Sequence, residues 1–187
     1  QNLIRTKESD YEKVITLIEN SIESNTASNS ESVFAKIRLY FSYLINAVIS
    51  EPAMISVNLN NESHVNFSAN LLDSTGNKTS ADKGNSYKKL LCIAFDLSLL
   101  KAYQGKNFPH FVFHDGVFET LDDRKKENLL KEMRSLGNDG IQQIVTMIES
   151  DTPNEYEKVR EWISESEITV LLHDDGEKGR LFKMQTW

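Results

Sequence analysis

The segment Phe111-Val112-Phe113-His114-Asp115-Gly116-Val117-Phe118-Glu119-Thr120-Leu121-Asp122 holds the densest set of groups able to do chemistry. It begins as an apolar strand and ends in an acid. If that strand runs in a parallel sheet, Asp115 stands at the carboxyl edge, where ligands of open α/β sheets bind. An acid placed there can meet Mg2+ beside nucleotide phosphates. Asp122 is a second acidic position on the same segment. Glu119 and His114 are candidates to orient a water. The plain alternative is a strand whose final Asp only closes the next loop.

A second candidate lies upstream. Asp82-Lys83-Gly84-Asn85-Ser86 is a polar, glycine-containing loop that opens a very apolar helix. A helix N-terminus entered in this way can bind an anion through its free backbone N–H groups. The other reactive side chains offer less. His64, His110 and His173 lack metal-ligand spacing. His114-Asp115 invites comparison with HD-type metal phosphohydrolases, but those place their ligands mainly on helices of an all-α fold. Cys92 sits in the apolar run 90–100 and is expected to be a buried, inert thiol. Gly76-Asn77-Lys78-Thr79 resembles a phosphate loop only superficially, because the upstream glycine is missing.

The elements that must position these groups follow from the periodicity. Residues 11–22 have helical spacing and read as an amphipathic arm. A Ser/Asn-rich loop, 25–32, leads into a helix over about 32–49, stopped by Glu51-Pro52. Ile55, Val57 and Leu59, then Val65, Phe67, Ala69 and Leu71, alternate with polar residues and predict a β-hairpin. The helix over about 86–103 is the most apolar and is expected to be central. A strand over 110–114, a charged helix over about 122–136 and a buried strand over 141–148 make a βαβ unit with a parallel sheet. A loop with a short helix fills 151–166, and 168–172 with 180–184 reads as a closing hairpin.

Composition bounds the function. The 187 residues carry a net charge of −7, from 21 Lys+Arg against 28 Asp+Glu. That balance excludes a bulk nucleic-acid binder. One cysteine excludes an internal disulfide framework. No run of 18 apolar residues is present, so no membrane span is expected. A chain of this size builds a single core. Gln1 at the start, with no apolar leader after it, suggests an excised or processed chain.

The order of these motifs resembles the C-terminal half of an SMC/RecF/RecN-like ABC ATPase head, and more narrowly the poorly characterised SMC-like ATPases of bacterial ABC-three-component systems. The residues that carry the likeness are Lys83-Gly84-Asn85-Ser86-Tyr87-Lys88 as signature loop, Phe113-His114-Asp115 through Asp122 as Walker B and D-loop, Ile144 to Asp151 as switch strand, and Gly179-Arg180-Leu181-Phe182 at the end. The likeness implies an α/β fold, the C-terminal lobe of such a head: a mixed sheet with a βαβ core, a central apolar helix and antiparallel hairpins. Residues 1–24 would be the end of a coiled-coil arm and 25–187 the lobe itself. It implies ATP and Mg2+, held only together with a missing N-terminal Walker A half. Asp115 would position Mg2+. Lys83, Gly84, Asn85 and Ser86 would meet the γ-phosphate of an opposing head, and Asp122 would lie in the dimer seam. Glu119 or His114 would help orient the attacking water. The implied partners are that Walker A half, a second head as homodimer, accessory subunits, and nucleic acid through other regions. The implied setting is the bacterial cytoplasm, in nucleic-acid surveillance or anti-phage defence.

The chain departs from the family pattern at four points. No Walker A motif is present. Gly116 stands where the usual catalytic Glu follows the Walker B acid, and Lys83 replaces the signature Ser. Glu149 follows the switch strand, where a histidine is usual. Two expectations therefore stand: a head that binds Mg-ATP when completed, or a non-catalytic docking and dimerisation module with a degenerate site.

Overall fold

The computed structural model describes residues 11–17, 32–62, 64–79, 84–173, 176 and 179–180. The chain divides into two compact units, Gln1–Met147 and Ile148–Trp187.

Helix α1 covers residues 11–17, with Tyr11, Val14 and Leu17 exposed. Helix α2, Val33–Ile49, starts where the Ser32 hydroxyl accepts from the Ala35 N–H at 3.1 Å, a standard N-cap. Ile37, Phe41, Leu44, Ile45 and Val48 form its buried stripe, with the spacing of a core-facing helix. It ends at Ser50, which adopts a left-handed conformation ahead of Pro52. Strands β1, Ala53–Leu59, and β2, Val65–Leu71, pair antiparallel, with Ile55 opposite Ala69 and Val57 opposite Phe67. The Asn60 side chain closes the turn by accepting from the N–H groups of Glu62 and His64 at 2.9 Å.

Helix α3, Asn85–Ala102, packs against α2, and Leu90, Leu91, Ile93, Ala94, Leu97 and Leu100 are buried along it. The expected central helix is therefore present, begun one residue earlier at Asn85. Cys92 is a correction: it lies on the exposed side of α3, not in the core. The apolar run 90–100 suggested burial all round, but the residue faces away from α2's stripe and its thiol meets water.

Strand β3, Phe111–His114, and strand β4, Gln142–Val145, pair parallel in register, Phe111 with Gln142 and His114 with Val145. Helix α4, Asp123–Asn138, joins them and also packs on α2. This is the βαβ unit read from the sequence. The segment 141–148 is not the buried strand expected there. Only Ile141 is buried, the strand is four residues long, and Ile144 and Ile148 are exposed.

The second unit holds a 3-10 turn, Glu149–Asp151, in which the buried Asp151 carboxylate accepts from the Ile148 N–H at 3.2 Å. A short helix α5, Val159–Trp162, follows, and Trp162 is buried. In the expected closing hairpin, the His173 N–H donates to the Gly179 carbonyl at 2.9 Å across the turn. Residues 168–172 carry no strand, and 181–184 lie outside the described residues.

Candidate functional site

The β3–α4 loop, residues 115–122, is held from below and offers acids above. Val117 and Phe118 are buried, while Asp115, Glu119 and Asp122 are exposed. Two turns make this alternation possible. Gly116 has φ +58 and Thr120 has φ +63, both in the left-handed region that disfavours most L side chains. The Glu119 N–H returns to the Gly116 carbonyl at 3.2 Å.

Asp115 leaves the carboxyl end of β3 and is fastened to the neighbouring strand. The ladder continues one step past β4, with the Thr146 N–H donating to the His114 carbonyl at 3.1 Å. That places the Thr146 hydroxyl against Asp115, and it donates to Oδ1. The same hydroxyl accepts from the Gly116 N–H at 3.1 Å. The Asp115 side chain is thus oriented through one oxygen, and no described residue bonds to the other.

Helix α3 lies alongside. Lys89 Nζ reaches Glu119 Oε2 at 2.8 Å. Asp122 caps α4 by accepting from the Lys125 N–H at 3.0 Å, and its other oxygen pairs with Lys125 Nζ at 2.8 Å. The Lys125 ammonium stands 5.2 Å from the centroid of the Tyr87 ring on α3. The hydrogen bond from Lys125 holds the Asp122 carboxyl below its ordinary range and raises the Lys125 ammonium above its own. His114 turns inward, with Nε2 3.1 Å from Asp96 Oδ2 on α3 and only a tenth of its side chain exposed.

The structure therefore brings Asp115, Glu119 and Asp122 onto one loop beside the first turns of α3. Gly84 is the N-cap of that helix and makes no side-chain cap bond; Asn85 and Ser86 follow as its first residues. Lys83 lies outside the described residues. Thr146, Lys89 and Lys125 were not singled out from the sequence, and Tyr87 was named only as part of the signature loop. Only the polar Thr146 after the run Ile144-Val145 hinted at its position.

Other candidates recede. In the loop after β2, the Asp73 carboxylate accepts from the N–H groups of Thr75 and Asn77 at 2.9 Å, so those donors are already used. The bonds it receives, first from the Thr75 hydroxyl, hold this carboxyl below its ordinary range. An anion entering the loop would meet that negative charge. Among the described residues no group of three or more His, Cys, Asp or Glu side chains is placed to hold a metal ion.

A family model described as an uncharacterised protein conserved in bacteria (DUF2326) matches residues 44–186. No curated protein matches the chain. Among solved structures, the chain is similar to the Smc head domain with a coiled coil and joint from Pyrococcus yayanosii, at 20% identity and a TM-score of 0.50, over 76% of this chain and 27% of that one. It also matches an Smc head bound to the C-winged helix domain of ScpA at 14% identity and TM-score 0.48, over 63% of this chain and 37% of that one. The recombination mediator protein RecF matches at 16% identity and TM-score 0.38, over 63% and 40%. The chain spans well under half the length of each of these three. The first likeness shows the fold: this is the α/β fold of an SMC head domain, in part.

Proposed function

This chain belongs to the DUF2326 family of proteins conserved in bacteria, and from that premise we propose that it is one lobe of an SMC-like ATPase head. A Walker A half elsewhere would complete it. One observation carries the reading. The β3–β4 pair is parallel, yet its outer face is bare, with Phe111 57%, Phe113 56% and Ile144 46% exposed. Parallel sheets are stable with both faces covered. Further strands and a helix layer from a second half would cover this face and bring a phosphate loop to the carboxyl edge where Asp115 stands.

The residues fit Mg2+ as a nucleotide-borne ion. Mg2+ needs only one or two carboxylates beside substrate phosphates and water, and the exposed Asp115 has one oxygen that no described residue bonds to. When bound, the ion neutralises charge on the phosphates. Asp115 orients it, and the Thr146 hydroxyl keeps Asp115 in place. Lys83 and the N-terminal residues of α3, Gly84, Asn85 and Ser86, face the γ-phosphate of an opposing head, where backbone N–H groups favour negative charge. Asp122 lies in the seam between heads. Residues 1–24, which include helix α1, are the end of a coiled-coil arm, and 25–187 is the lobe. The net charge of −7 supports nucleic-acid contact through other regions. Accessory subunits, a cytoplasmic setting and a role in nucleic-acid surveillance or anti-phage defence complete the reading.

A second reading rests on Gly116, which leaves no acid directly after Asp115: a docking module that dimerises without turnover. One experiment separates them. Mg-dependent ATP binding is measured for the full-length protein and its Asp115→Asn variant. The head reading expects binding that weakens at least tenfold in the variant and dimerisation that requires ATP. Absence of Mg-dependent binding in the wild type, or a variant that binds as well as wild type, leaves the docking module.

A further inference from the structure

We infer that Glu119 is the carboxylate that orients and deprotonates the attacking water, and that its carboxyl group fills the space that a side chain at residue 116 would take. The inference rests on the head reading above and deepens it. A Cβ placed on Gly116 would lie 2.6 Å from Glu119 Cδ and 2.9 Å from Oε2, closer than real Cβ contacts, and it would overlap Oε1 outright. The Glu119 carboxylate is therefore folded back over the backbone next to Asp115. An acid that leaves the chain three residues later ends where a side chain at 116 would begin.

Two further features suit that role. Oε2 is paired with Lys89 Nζ at 2.8 Å, so one carboxylate oxygen is directed towards α3. Oε1 receives no hydrogen bond from any described residue and is free to accept one from water. His114, the other candidate, is buried away from the loop: its Nε2 is turned to Asp96 on α3, and its Nδ1 is buried with no hydrogen-bond partner among the described residues. In the step, the water oxygen bonds to the γ-phosphorus while the bond to the β,γ-bridging oxygen breaks, its electron pair staying with ADP. One water proton passes to Glu119 and the other remains on the phosphate. A positioned base of this kind contributes about 10²–10⁴-fold in rate.

The test uses the full-length protein with wild-type, Glu119→Gln and Glu119→Asp chains, measuring Mg-ATP affinity, thermal melting and turnover at saturating ATP. The expected result is Glu119→Gln turnover at least 100-fold below wild type, with affinity within about threefold and melting unchanged. Such a base is worth about this much. Glu119→Asp, one methylene shorter, should recover part of the lost rate. Three results overturn the inference: turnover in Glu119→Gln within about threefold of wild type, loss of ATP affinity or of the fold in both variants, and wild type that binds Mg-ATP without turning it over. The last leaves the nucleotide-binding head intact. Wild type that fails to bind Mg-ATP removes the head reading and this inference together.

Discussion

The Thr146 hydroxyl donates to Asp115 Oδ1 across the ends of β4 and β3. The same oxygen accepts from the Gly116 N–H at 3.1 Å. One side chain thus aims the acid and pins the turn that follows it. Replacing it by valine keeps the shape and removes both side-chain bonds, while the Gly116 N–H keeps its bond to the Thr146 carbonyl at 3.2 Å; the cost should be about 1–2 kcal/mol. Urea unfolding of Thr146→Val against Thr146→Ser checks this. Equal midpoints for the two variants would show that the hydroxyl contributes nothing.

Gly116 is constrained by φ +58, and the movable carboxyl end of Glu119 fills the space beside it. Gly116→Ala should therefore cost about 1–2 kcal/mol from the left-handed backbone alone, and more while Glu119 is present. In a Glu119→Ala background the steric part disappears. A double-mutant cycle should give a coupling of at least about 0.5 kcal/mol between the two sites. Strict additivity would mean that the two groups do not share space.

Asp122 both caps α4 and pairs with Lys125. Asn caps a helix about as well as Asp, so Asp122→Asn isolates the charge. The folded carboxyl lies below its ordinary range because Lys125 bonds to it. A depressed carboxyl stabilises the fold above the unfolded pKa of about 3.9, and that stabilisation is lost as pH falls through the lower, folded value. The gap between wild type and Asp122→Asn should be full near pH 6 and shrink below about pH 4. A gap that stays constant from pH 6 to pH 3 would exclude the ion pair as its source.

The bare face of β3 and β4 gives a test of what completes the sheet. Phe113 is more than half exposed, so Phe113→Ser should change the stability of this segment by less than about 0.5 kcal/mol. The same change should weaken association with a separately expressed Walker A half by at least tenfold in a pull-down titration. If the affinity is unchanged, the second half does not seat on this face.

Local pattern carried much of the fold. The stripe of α2, the alternation of β1 and β2, the apolar content of α3 and the strand–helix–strand order around α4 each depend on neighbours a few residues apart, and those were readable from periodicity. Asp115, Glu119 and Asp122 were readable as candidates because an acid after an apolar strand is itself a local signal. Cys92 misled for the same reason: a run of apolar neighbours does not say which side of a helix meets its partner.

The sequence by itself determined the kinds of element, their order and the acids on one loop, because hydrophobic period and turn chemistry act over short spans. Only the tertiary structure decided what those acids touch. Lys89 meets Glu119 across 30 residues and Thr146 meets Asp115 across 31. Both contacts depend on the register of β3 with β4 and on how α3 lies beside the loop, and no local pattern encodes either. The bare face of Phe111, Phe113 and Ile144 is likewise a property of the packed molecule. An apolar strand has the same sequence whether its outer face is covered within this segment or left for another.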